Sequence, residues 1–68
     1  MDFRVRLFPD GPEGEATPEQ TLNGGSPKEA AEKLHGGPLH EQGANHQLRA
    51  QVRMTIIGKT QKISFFER

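Results

Sequence analysis

Five cations stand in alternation with other residue types near the two ends of the 68-residue chain: Arg4 and Arg6, Arg49 and Arg53, and Lys62. Gathered on one sheet face, guanidinium and ammonium groups of this kind take phosphates. Rings placed among them, here Phe8 and Phe66, stack bases, and the combination serves single-stranded RNA or DNA. The charge is split along the sequence. Residues 1–34 hold four basic and seven acidic side chains, net −3, and residues 35–68 hold five basic and two acidic, net +3. The balance over the whole chain is zero, whereas nucleic-acid-binding domains usually carry an overall basic excess. The plainer reading of the same five residues is a sheet that faces water, where Lys and Arg give solubility and discourage edge pairing.

Other chemistry is sparse. His35, His40 and His46 fall close together, but spacings of five and six match no ligand pair on one helix face or one strand, so no metal is expected. There is no cysteine, which removes disulfides, thiolate ligands and a thiol nucleophile. Ser26 reads as a helix cap, and Ser64 has no histidine fixed near it. Asp10, Glu13, Glu15 and Glu19 lie on a loop that offers no burial to raise a carboxyl pKa. Gly24-Gly25-Ser26 leads into a helix, as anion-binding termini do, but neither the P-loop nor the dinucleotide glycine pattern is present. No enzyme and no cofactor are expected.

The elements that would position these residues follow from punctuation. All five prolines lie between Pro9 and Pro38, and seven of the eight glycines between Gly11 and Gly43. Outside that region, Phe3, Val5 and Leu7 alternate with Arg4 and Arg6 and predict a half-buried strand over 3–8. Pro9-Asp10-Gly11 ends it. Residues 9–25 are rich in glycine, proline and acids, and read as a mobile loop. Within it, Thr17-Pro18-Glu19-Gln20 offers one capped helical turn, and Gln20–Asn23 offers a short edge strand beside the first; neither signal is strong enough to add an element. Ser26-Pro27-Lys28-Glu29 is a capping box with proline at the first helical position. Ala30, Ala31 and Leu34 form the apolar stripe of a helix over 27–35, and Gly36-Gly37-Pro38 ends it.

Residues 47–57 alternate most cleanly, with Leu48, Ala50, Val52, Met54 and Ile56 on one side. Gly58-Lys59 then suits a type II′ turn, and residues 60–67 return. That turn pairs Ile57 with Thr60, Met54 with Ile63 and Val52 with Phe65. The predicted fold is α+β: a β-α-β-β domain with a three-stranded, mainly antiparallel sheet and one short helix on one face. The 60–67 strand is expected in the middle beside the first, leaving the first two strands parallel and separated. The core comprises Val5, Leu7, Ala30, Ala31, Leu34, Leu48, Val52, Met54, Ile56, Ile63 and Phe65, with Phe3 and Leu39 at its margin. This element order is common to many small domains and fixes no function.

A chain this short forms one domain. Domains below roughly 70–80 residues rarely gain more than ~3–5 kcal/mol net without staples. Hydrophobic residues make up only 31% of it, yet the strand segments are conventionally apolar. A short helix therefore covers the sheet incompletely. Phe8, Ile57 and Phe66 are left exposed at a sheet surface or edge, and such residues favour a homodimer or a protein partner. The expected function is a small protein-interaction module or subunit that associates with itself; the alternative is nucleic-acid binding by the basic face. The longest apolar runs are pairs, so no membrane span is expected. No apolar stretch follows Met1, and the cytoplasm is the expected compartment.

Overall fold

The computed structural model describes residues 1–68. Its elements are β1 (Asp2–Leu7), β2 (Gln20–Asn23), α1 (Pro27–His35), a 3₁₀ turn (Asn45–Gln47), β3 (Leu48–Ile56) and β4 (Lys59–Phe66). The class is α+β, as the sequence indicates, but the sheet has four strands in the order β2-β1-β3-β4. Every pairing is antiparallel.

Three expectations about the sheet are corrected. First, Gln20–Asn23 is a strand, paired with Asp2–Val5. Its side chains give no period-two signal; backbone bonds and the packing of Leu22 against the core hold it, helped by reciprocal contacts just outside its end. There the Thr17 amide donates to the Leu7 carbonyl (2.9 Å) and the Leu7 amide to Thr17 Oγ1 (3.0 Å). Second, β3 rather than β4 occupies the middle, with Val5 opposite Val52 and Val52 opposite Ile63. The first strand is thus antiparallel and adjacent to β3. The placement is sensible in burial terms, because Leu48, Ala50 and Val52 are all buried while the first half of β4 is exposed.

Third, the hairpin turns one residue earlier. Ile56 pairs with Lys59, so Ile57-Gly58 is the two-residue connection, and both have positive φ (51° and 74°). That is the backbone of a type I′ turn, whose twist matches the flanking strands. The register therefore differs by two residues from the one expected: Met54 faces Gln61, and Ala50 faces Phe65. A shift of two keeps every side chain on its own face, so the inward set survives the change.

The helix starts as its sequence dictates. Ser26 Oγ accepts from the Glu29 amide (3.1 Å), and Pro27 occupies the first turn. Gly36, at φ 86°, ends the helix, with its amide donating to the Glu32 carbonyl (2.8 Å). α1 lies over β1 and β3 and reaches β4. The core is Phe3, Val5, Ala30, Ala31, Leu39, Ala50, Val52 and Phe65, with Leu7, Leu22, Leu34, Met54 and Ile63 packed against it. Phe3 and Leu39 are thus central rather than marginal. Leu39 is drawn in because its amide donates to the Glu32 carboxylate (2.8 Å), a side chain that the helical pattern assigns to solvent. Ile56, assigned to the core from its alternation, is 40% exposed and is not part of the core cluster; it stands at the hairpin end of β3, next to the turn. No helix is long and apolar enough to cross a membrane.

Candidate functional site

The two faces of the sheet differ sharply. Val5, Val52 and Ile63 point toward α1. Their chain neighbours point the other way, and register sets three of those in one row: Arg4 opposite Arg53, and Arg53 opposite Lys62. The next row is Arg6, Gln51 and Ser64, where Gln51 Nε2 donates to Ser64 Oγ (3.4 Å). Thr55 and Thr60 continue the face on the other side of the row, their hydroxyls 3.4 Å apart.

Four of the five cations are therefore brought together, by strand alternation alone. The fifth is not. Between Leu48 and Ala50 the β3–β4 register is irregular, and Arg49 sits at that irregularity. A bulge leaves a residue unpaired and re-aims its side chain. Arg49 Nη1 donates to the carbonyls of His46 (3.1 Å) and Leu48 (2.8 Å), so its guanidinium closes the end of the sheet.

A carboxylate already sits on the row. Glu19, directly before β2, accepts from Arg53 Nε (2.9 Å) and Nη2 (2.7 Å) in a bidentate pair. The Arg53 hydrogen bonds hold the Glu19 carboxyl below its ordinary value, with Arg6 and Arg4 adding to the effect. Reciprocally, the Glu19 carboxylate raises the Arg53 guanidinium. The pairing of Glu19 with Arg53 was not foreseeable, because it depends on where β2 begins. A second side-chain contact joins His35 Nε2 to Glu67 Oε2 (3.0 Å), clipping the helix end to the end of β4.

The apolar candidates do not share a patch. Phe8 and Phe66 are half-buried at one end of the sheet. The Phe8 amide donates to the Arg49 carbonyl (2.7 Å). Phe66 exchanges backbone bonds with His40 (2.8 and 2.7 Å). Gly43 lies so close to Phe66 that a Cβ there would come within 2.7 Å of the Phe66 Cβ. No ring stands in the Arg4–Arg53–Lys62 row. Ile57 is at the opposite end, nine residues beyond Leu48, or roughly 25–30 Å at the rise of a strand. It is 96% exposed. Ile56 beside it is 40% exposed, and Met1, the residue before β1, is 60% exposed. Continuing the β1–β3 register past Val5 and Val52 puts Met1 level with Ile56.

β4 is also an open edge. Its last residue is covered by His40. Since the Phe66 N–H and C=O point outward to His40, period two sends those of Thr60, Lys62 and Ser64 the same way, off the sheet. No protein-family model, curated protein or solved structure matches this chain.

Proposed function

We propose that this protein acts by binding another protein chain, a second copy of itself, through the Ile57 hairpin tip and the adjoining edge of β4. The observation that carries the reading is Ile57. It combines two costs at one position: a β-branched side chain at φ 51° and almost complete exposure to water. Positive φ in a β-branched residue is a real outlier, and strain of this kind concentrates where binding or switching occurs. Ile56 and Met1 extend the apolar surface at the same end, and the outward amides and carbonyls of Thr60, Lys62 and Ser64 offer a template for strand addition. A twofold partner suits an edge strand because the same surface serves both subunits.

Two features keep such pairing selective. Lys59 and Lys62 place charge on the edge, and β2 at the other edge has only four residues, so neither edge is an indiscriminate template. The test is sedimentation equilibrium at high micromolar concentration, with the native chain and Ile57→Asn side by side. The native chain is expected to sediment as a dimer and the variant as a monomer. A native chain that stays monomeric overturns the reading.

A further inference from the structure

Arg4, Arg53 and Lys62 are direct cross-strand neighbours, and like charges placed directly opposite are destabilising. Register is set by the apolar face, but residue type on the open face is not, and threonine or glutamine would satisfy the sheet without repulsion. Arg6 adds a fourth cation one row away. Glu19 hydrogen-bonds to Arg53 alone, its charge also being felt by Arg6 and Arg4; Asp2 lies beside Arg4 and Arg53, but Arg4, Arg6 and Lys62 have no carboxylate within ion-pair distance. Arg6, Glu19, Gln51, Arg53 and Lys62 line a shallow depression of about 130 Å³.

We propose that this row is a binding site for the phosphate backbone of single-stranded nucleic acid, and that Glu19 is a built-in competitor occupying the Arg53 fork. The bidentate Arg53–Glu19 geometry is the one that guanidinium uses for carboxylate and phosphate alike. Glu19 thus marks where an oxyanion sits. The neighbours Gln51, Thr55, Thr60 and Ser64 are neutral donors of the kind that contact phosphate and sugar. The row lacks aromatic rings, so no base stacking contributes and the binding is sequence-independent. A strand of phosphates lying across β1, β3 and β4 passes Arg4, Arg53 and Lys62 in turn; the strands are about 4.8 Å apart, and the long side chains splay to reach the wider-spaced phosphates. Full engagement requires Glu19 to leave Arg53. This inference does not depend on the hairpin reading, since it uses the face of the sheet and not its tip.

The experiment is fluorescence anisotropy with a labelled oligothymidylate over a salt series, using the native chain, Glu19→Gln, Arg53→Gln and Lys62→Gln, each checked for folding by circular dichroism. For single strands log affinity falls with log salt at about −0.7 per phosphate contact. With Glu19 in place three cations remain for phosphate, and a slope of about −2 is expected. Glu19→Gln frees the fourth, so its slope is expected near −3, and it should lose roughly 2.5-fold more affinity than the native chain between 50 and 200 mM salt. At low salt Glu19→Gln is expected to bind more tightly, and Lys62→Gln more weakly. No binding by Glu19→Gln at low salt overturns the site. In the Glu19→Gln background, where the Arg53 fork is free, binding and salt slope unchanged by adding Arg53→Gln overturn the role of the row. Equal competition by poly-glutamate at matched charge overturns the assignment to nucleic acid in favour of acidic polypeptides.

Discussion

Replacing Ile57 by asparagine should make the isolated domain more stable, although it removes a large apolar side chain. Ile57 has φ 51°, and left-handed backbone costs an L-residue roughly 1–2 kcal/mol, a cost that asparagine reduces by bonding locally. Asn-Gly is also the preferred sequence for a type I′ turn. Against this, little burial is lost. Ile57 is 96% exposed, so of the ~1.5–3 kcal/mol that a fully buried side chain of this size contributes, only about 0.1 kcal/mol is forfeited. The net gain is about 1 kcal/mol, or roughly 4–8 °C in Tm for a domain of this length. Thermal unfolding followed by circular dichroism, at low micromolar concentration to suppress association, measures it directly. The sign is decisive. Were the turn at Gly58-Lys59, Ile57 would be a strand residue, and asparagine there would cost up to ~1 kcal/mol. A lowered Tm refutes the type I′ turn and the strain argument together. A raised Tm combined with lost association is the pattern of a residue kept for binding at the expense of stability.

Further expectations follow from single contacts. Phe65→Ala should cost ~3–5 kcal/mol, comparable to the whole stability of so small a domain, and a guanidinium melt should show it largely unfolded without denaturant. Ser26→Ala removes the acceptor for the Glu29 amide and should lower stability by ~1 kcal/mol, read in the same melt. Gly43→Ala brings a Cβ within 2.7 Å of the Phe66 Cβ, so it should displace Phe66 and broaden its NMR signals. The Glu19 carboxyl is held below its usual value near 4.5 by Arg53. A lowered folded-state pKa stabilises above the unfolded value and is lost as pH falls through the folded one. An NMR titration should therefore place the Glu19 midpoint below the ordinary glutamate value, and Arg53→Gln should move it back up.

The inward set was legible because period two and the helical stripe are enforced by burial. Val5, Val52 and Phe65 face the helix in either hairpin register, since a shift of two changes no face. For the same reason the pattern cannot choose between a turn at Gly58-Lys59 and one at Ile57-Gly58. Strand order was hidden in a similar way: β3 and β4 both alternate, and only the relative cover of Ala50 and Val52 against Gln61 and Lys62 marks which is central. β2 was offered by its sequence only as a weak alternative, because Gln20-Thr21-Leu22-Asn23 has a single apolar residue, Leu22, which packs against the core, and otherwise relies on main-chain bonds. Leu39 is in the core because a charged helix residue, Glu32, holds its amide, a tertiary contact that no local pattern carries.

The basic face was legible as far as alternation extends. Arg4, Arg6, Arg53 and Lys62 share it because each flanks an inward apolar residue. Arg49 has the same sequence credentials, and a bulge removes it. Phe8 and Phe66 were expected among the cations, and they lie instead at the end of the sheet, half-covered by main chain. The docking of Glu19 required knowledge of β2.

The most direct test of the account is the mass of the native chain in solution as concentration rises. Sedimentation equilibrium at high micromolar concentration should give a mass tending to twice 7.6 kDa, with Ile57→Asn remaining at the monomer mass and melting higher. A native chain that stays at 7.6 kDa throughout contradicts the self-association reading, whatever the stability of the variant.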